Sequence, residues 1–178
     1  SPDDNHLYVT GLGDHAVSWY ERNASSGALT YLGNFKGATY GLLGASGLGF
    51  SPSGKHLYVA GIYSNAVSWY ERNATTGNLV YQGMLQDGQN GADGLNAAVD
   101  VLISSDGNHA YVAGYGDNSL SWFNRNDTTG ALTYGGILRD GQNGVDGLEG
   151  GLTVTISPDG KFVHVAGEPE RGVSWHER

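Results

Sequence analysis

An all-β fold of repeated four-stranded antiparallel units is predicted by three features of this 178-residue sequence. Short apolar or alternating runs, such as His109–Gly114, Ser119–Asn124, Leu132–Leu138 and Leu152–Ile156, are separated by clusters rich in Gly, Asp, Asn and Thr, the pattern of strands joined by turns. The block recurs: Ser-Pro or Ser-Ser-Asp starts stand at 1, 51, 104 and 157, and tryptophans at 19, 69, 122 and 175, both in steps of 50, 53 and 53. No stretch carries a helical period. A four-stranded unit repeating at about 40–50 residues is the mark of a β-propeller blade. One blade cannot cover both its faces, so the apolar core is expected between successive blades.

The four strands of a blade are named a to d from the axis outwards. Repeat 1–50 supplies b (His6–Gly11), c (Ala16–Arg22) and d (Leu29–Phe35). Its outgoing loop, Lys36–Gly44, is three residues shorter than its counterparts and carries Tyr40, Leu42 and Leu43 where they carry Asp-Gly elements. The second unit takes strand a from Gly47–Ser51, at the junction with repeat 51–103, then runs through b (His56–Gly61), c (Ala66–Arg72), d (Leu79–Leu85) and the loop Gln86–Asn96. The third takes a from Val99–Ser104, at the junction with repeat 104–156, followed by the b, c and d runs quoted above and the loop Arg139–Glu149. The fourth takes a from Leu152–Ser157, at the junction with repeat 157–178, then b (Phe162–Gly167) and c (Val173–Glu177). The order bcd, abcd, abcd, abc amounts to about three and a half blades in one domain, 1–178. It reads as part of a larger ring, completed by blades of a longer chain or by other copies.

Turn chemistry supports each boundary. Between a and b stand Ser-Pro-Ser-Gly, Ser-Ser-Asp-Gly and Ser-Pro-Asp-Gly, with Pro where φ near −65° is wanted and Gly where φ turns positive. Between c and d stand Asn-Ala-Ser-Ser-Gly, Asn-Ala-Thr-Thr-Gly and Asn-Asp-Thr-Thr-Gly, whose side-chain oxygens can hold loop amides before Gly reverses the chain.

Nine basic and eighteen acidic side chains give a formal charge of −9, with no cluster of Lys or Arg, which argues against a nucleic-acid partner or an anionic membrane. No apolar run is long enough for membrane insertion. Thirty glycines sit at repeating turn positions, and the lack of cysteine excludes disulfides and thiolate metal sites.

Ser-Pro-Asp-Gly-Lys-Phe-Val-His-Val-Ala-Gly (157–167) and Ser-Pro-Ser-Gly-Lys-His-Leu-Tyr-Val-Ala-Gly (51–61) resemble the lactonase-like seven-bladed β-propellers, which include bacterial 6-phosphogluconolactonases, and are similar to YVTN-type surface propellers. Val-Ser-Trp-Tyr-Glu-Arg-Asn on strand c and Thr-Thr-Gly-Asn-Leu before strand d extend the likeness along the chain. The resemblance implies a central channel and Pro followed by Arg or His at the start of strand a. Here those starts read Gly-Ala-Ser-Gly (44–47), Asn-Ala-Ala-Val (96–99) and Glu-Gly-Gly-Leu (149–152), without a cation.

Among candidate sites, the loops with Asp87, Asn90 and Asp93 and with Asp140, Asn143 and Asp146 place carboxylate and amide oxygens on Gly-rich connections. Such loops can wrap Ca²⁺, and the same residues also cap turns. Asn23, Asn73 and Asn126 stand in register as glycosylation sequons on exposed turns. The four tryptophans read as packing between blades. His6, His56 and His109 read as solvated strand starts, while His164 and His176 raise a two-histidine metal site. Glu168, Glu170 and Arg171 suggest a local recognition surface, and the Glu-Arg pairs at 21–22, 71–72 and 177–178 suggest exposed rim ion pairs of little consequence.

Near-identity of the repeats favours a non-enzymatic binding or surface-assembly module, secreted or at the cell surface, with a protein or glycan partner. The alternatives are a lactone hydrolase of the 6-phosphogluconolactonase type and a calcium-stabilised adhesion module.

Overall fold

The computed structural model describes residues 1–168 and 173–178. Among these residues fourteen strands form four antiparallel sheets, each joining sequence neighbours edge to edge. The first sheet holds β1 (His6–Gly11), β2 (Ala16–Arg22) and β3 (Leu29–Lys36). The second holds β4 (Ala45–Phe50), β5 (His56–Gly61), β6 (Ala66–Arg72) and β7 (Leu79–Gln86). The third holds β8 (Ala98–Ile103), β9 (His109–Gly114), β10 (Ser119–Arg125) and β11 (Leu132–Arg139), and the fourth β12 (Gly151–Ile156), β13 (Phe162–Gly167) and β14 (Val173–Glu177). The expected order stands, with strand d one residue longer in each case and strand a starting one or two residues earlier.

The core lies between blades, as alternation demands. Leu57 and Val59 of β5 join Tyr8, Val17 and Trp19 of the first blade in one buried cluster. Tyr58 and Ala60, pointing the other way, join Val101, Val112 and Phe123 of the third blade. A third cluster joins Tyr111 and Leu120 to Val154, Val163 and Val165 of the fourth. Each sheet therefore stabilises its neighbours, and the second, covered on both faces, has every β5 residue buried.

Strands c and d meet at a bulge beside Trp19, Trp69 and Trp122. Trp19 pairs with Gly33, Trp69 with Gly83 and Trp122 with Gly136, and the indole lies flat where a side chain on that glycine would stand. The short loop after β3 does not break the scheme. Its Leu42 is fully buried, like Leu95 and Leu148 in the longer loops, and each leucine carbonyl accepts the amide three residues on, at Ala45, Ala98 and Gly151. Among the described residues no helix is long and apolar enough to cross a membrane.

Candidate functional site

Strands β4, β8 and β12 are the innermost of their sheets and lie side by side. Their starts are fixed from the preceding blade by one residue of the b-to-c turn, in left-handed conformation: His15, Asn65 and Asn118. His15 Nδ1 accepts the Gly44 amide at 3.0 Å, Asn65 Oδ1 that of Ala97 at 2.9 Å and Asn118 Oδ1 that of Gly150 at 3.1 Å. Each inner strand then bulges against its b strand, which sets Gly47, Asp100 and Thr153 at matching places.

Asp100 is the one ionisable side chain on these three strands. It is half-buried; its Oδ2 accepts from Thr153 Oγ1 at 3.0 Å and the Val154 amide at 2.9 Å, and its Oδ1 from the Val101 amide at 2.9 Å. On the other side the carboxylate lies against Gly47, where a β-carbon would overlap it. A carboxylate gripped by fixed donors on an inner strand can orient a water or take its proton. Sequence reading passed over Asp100. Its signal was a lone charge inside the apolar run Ala-Val-Asp-Val-Leu-Ile.

At the same end of the sheets, oxygens of Asp87 and Asp93 come together with Asp117 of the next b-to-c turn, all within 4.8 Å of one another. Asp93 Oδ1 also accepts from Arg139 at 2.6 Å, and that hydrogen bond holds its carboxyl below the usual range. Asp87 accepts the Leu95 amide, and exposed Asn90 sits in left-handed conformation at φ 52°. In the second loop Asp140 accepts the Leu148 amide and Asp146 that of Gly147, while Asn143 has φ 53°. The sequon residues Asn23, Asn73 and Asn126 are exposed, and each Oδ1 accepts the amides two and three residues on.

Three expectations are corrected. His6 and His56 are buried, not solvated, because an arginine from the end of the next blade's strand c reaches back over them. Arg72 meets His6 Nδ1 at 3.0 Å and donates to Tyr8 Oη at 2.9 Å; Arg125 meets His56 Nδ1 at 2.9 Å and donates to Tyr58 Oη at 2.7 Å. Arg72 is thus a buried clamp between blades, ion-paired with Asp3 at 2.7 Å rather than with Glu71, and Arg125 is the same clamp in the next repeat. His164 and His176 form no joint site: His164 pairs with Trp175 and His176 with Val163, so the two imidazoles leave opposite faces of the sheet. Glu170 and Arg171 lie outside the described residues.

The whole chain, residues 1–178, matches the family described as lactonase, 7-bladed β-propeller. The chain belongs to that family. Among solved structures it is similar to proteins of Bacteroides uniformis and Bacteroides fragilis, each provisionally described as a 6-phosphogluconolactonase. The first superposes with TM-score 0.83 at 19% identity and the second with 0.81 at 22%; all of this chain is covered in both, against 48% and 49% of those chains. The periplasmic gluconolactonase PpgL of Pseudomonas aeruginosa gives TM-score 0.74 at 22% identity, over 100% of this chain and 48% of the other. No curated protein sequence matches. The chain thus spans about half the length of the solved lactonase-like propellers, and likeness at these identities establishes the fold alone.

Proposed function

We propose that this lactonase-family segment contributes to hydrolysis of a cyclic ester, with Asp100 as the proton acceptor for the attacking water. The observation that carries this reading is the placement of Asp100, alone among ionisable groups on the inner strands and held by Thr153 and Val154. Opening a lactone requires water aimed at the carbonyl carbon and a base for its proton; the ring oxygen then leaves and is protonated to a hydroxyl. With three donors engaged, the Asp100 carboxylate keeps a lone pair of Oδ1 for that water. The family match directs the reading away from the binding module that repetition suggests.

The substrate favoured on this side of the channel is an uncharged aldonolactone. No Lys, Arg or His stands on the inner strands, and the chain carries a formal charge of −9, so nothing there attracts a phosphate. The test is ring opening of glucono-δ-lactone and of its 6-phosphate, corrected for spontaneous hydrolysis. The expected result is catalysis of the neutral lactone, reduced about 100-fold or more in Asp100→Asn. Equal rates for the parent and Asp100→Asn would overturn the assignment.

A second reading concerns location. The exposed Asn23, Asn73 and Asn126 turns fit glycan attachment and secretion, and enzymatic deglycosylation of native material should then lower its mass.

A further inference from the structure

We propose that Asn90 and Asn143 are sites of spontaneous deamidation, and that conversion at Asn90 releases the turn that seats Ala92 between the second and third blades. The inference is independent of the hydrolytic reading.

An asparagine loses its amide when the peptide nitrogen of the next residue attacks the side-chain carbon. The reaction therefore needs a following residue without bulk and an amide that is not held elsewhere. Only these two asparagines precede glycine, in the repeated Gln-Asn-Gly of the loops after β7 and β11. Both asparagines and both glycines are exposed. A β-carbon added to Gly91 or Gly144 would meet nothing within 4 Å, so no neighbouring group crowds the nucleophile. Among the described residues neither Gly91 nor Gly144 donates its amide to a backbone carbonyl, whereas amides beside them do: Gly88 donates to the Ala92 carbonyl and Ala92 to that of Gln89, both at 2.9 Å. Other asparagines are engaged. Asn65 and Asn118 each accept an amide at the start of an inner strand, Asn23, Asn73 and Asn126 each accept two turn amides, and Ala, Ser or Asp follows them.

The step balances with water as the only co-reactant. The Gly91 amide gives up its proton, its nitrogen bonds Asn90 Cγ, and the Cγ–Nδ2 bond breaks as ammonia leaves with that proton. Water then opens the cyclic imide at either carbonyl, yielding aspartate or isoaspartate. Isoaspartate adds a methylene to the main chain between Gln89 and Gly91, inside the turn that the Gly88 and Ala92 hydrogen bonds close. Ala92 is 2% exposed and belongs to the apolar cluster with Leu95, Val101 and Val112, so a longer turn pulls on the interface between blades. Either product also adds a carboxylate to the loop whose Asp87 and Asp93 already converge with Asp117, where like charges repel.

The test incubates the intact 178-residue chain at mildly alkaline pH and follows each asparagine by peptide mass analysis. Amide-to-acid exchange changes the mass, and isomerisation of aspartate does not. Asn90 and Asn143 should convert about tenfold or more faster than Asn65 and Asn118, and within about tenfold of a free, end-blocked Gln-Asn-Gly-Ala peptide. A smaller margin over Asn65, or a larger lag behind the peptide, would overturn the modification site. In the fraction converted to isoaspartate at Asn90, the Ala92 amide should exchange with deuterium about tenfold faster than in unconverted chain. Unchanged exchange at Ala92 in that fraction would overturn the effect on the turn.

Discussion

Arg125 lies with its side chain wholly buried, held by His56, Tyr58, the Gly107 carbonyl and Asp127. Replacing it by Met removes a charged donor and strands its acceptors, so Arg125→Met should lower unfolding free energy in urea by about 2–4 kcal/mol. Arg22, the equivalent residue of the first blade, is exposed, and Arg22→Met should change stability by less than about 0.5 kcal/mol. The histidines give a pH dependence. Burial, then Arg125, pushes the His56 imidazole below its ordinary value of 6.5, and burial, then Arg72, does the same to His6. Because Arg125 donates to Nδ1, the His56 proton sits on Nε2, which is buried without a partner. Below about pH 6.5 the unfolded chain binds protons that the folded chain refuses, so stability is full above that value and falls as pH drops. Thermal melts from pH 8 to 5 should show the melting temperature declining below about 6.5, with a flatter profile in the His6→Gln/His56→Gln double variant.

The strand pair c and d is sensitive to a single added methyl group. Gly83 faces the Trp69 ring, and a β-carbon there would stand 2.7 Å from Cζ2. Gly83→Val should therefore destabilise by about 1–3 kcal/mol, because the indole must leave its place between the blades. Gly13, in a turn with open space around it, should accept Gly13→Ala within about 0.5 kcal/mol in the same urea titration. The inner strands follow the same logic at Gly47, where added volume would push on Asp100 and disturb its grip on the fourth blade.

Over the whole molecule, stability should grade with how many faces of a blade are covered. β5 is buried throughout, whereas β13 and β14 alternate between buried and open positions. Hydrogen exchange should be slowest in β5, β6 and β9 and faster in β1 and β14, because local opening costs least where few apolar contacts break. Uniform protection across the four blades would contradict a core divided among blade interfaces.

Strand order and turn positions were legible in the sequence, because alternation, Gly at positive φ and a near-identical repeat are local or periodic signals. Which polar side chains meet across blades was not. The sequence shows an Arg after Glu at 71–72 and a His at 6 with no sign that they touch, since their meeting depends on how one sheet stacks on the next. The convergence of Asp87 and Asp93 with Asp117, the separation of His164 from His176, and the position of Asp100 between Gly47 and Thr153 follow from register and stacking in the same way. The repeat determined what each blade is made of, and tertiary packing decided which side chains from different blades share a buried, low-dielectric space where charge and hydrogen bonding have their largest effect.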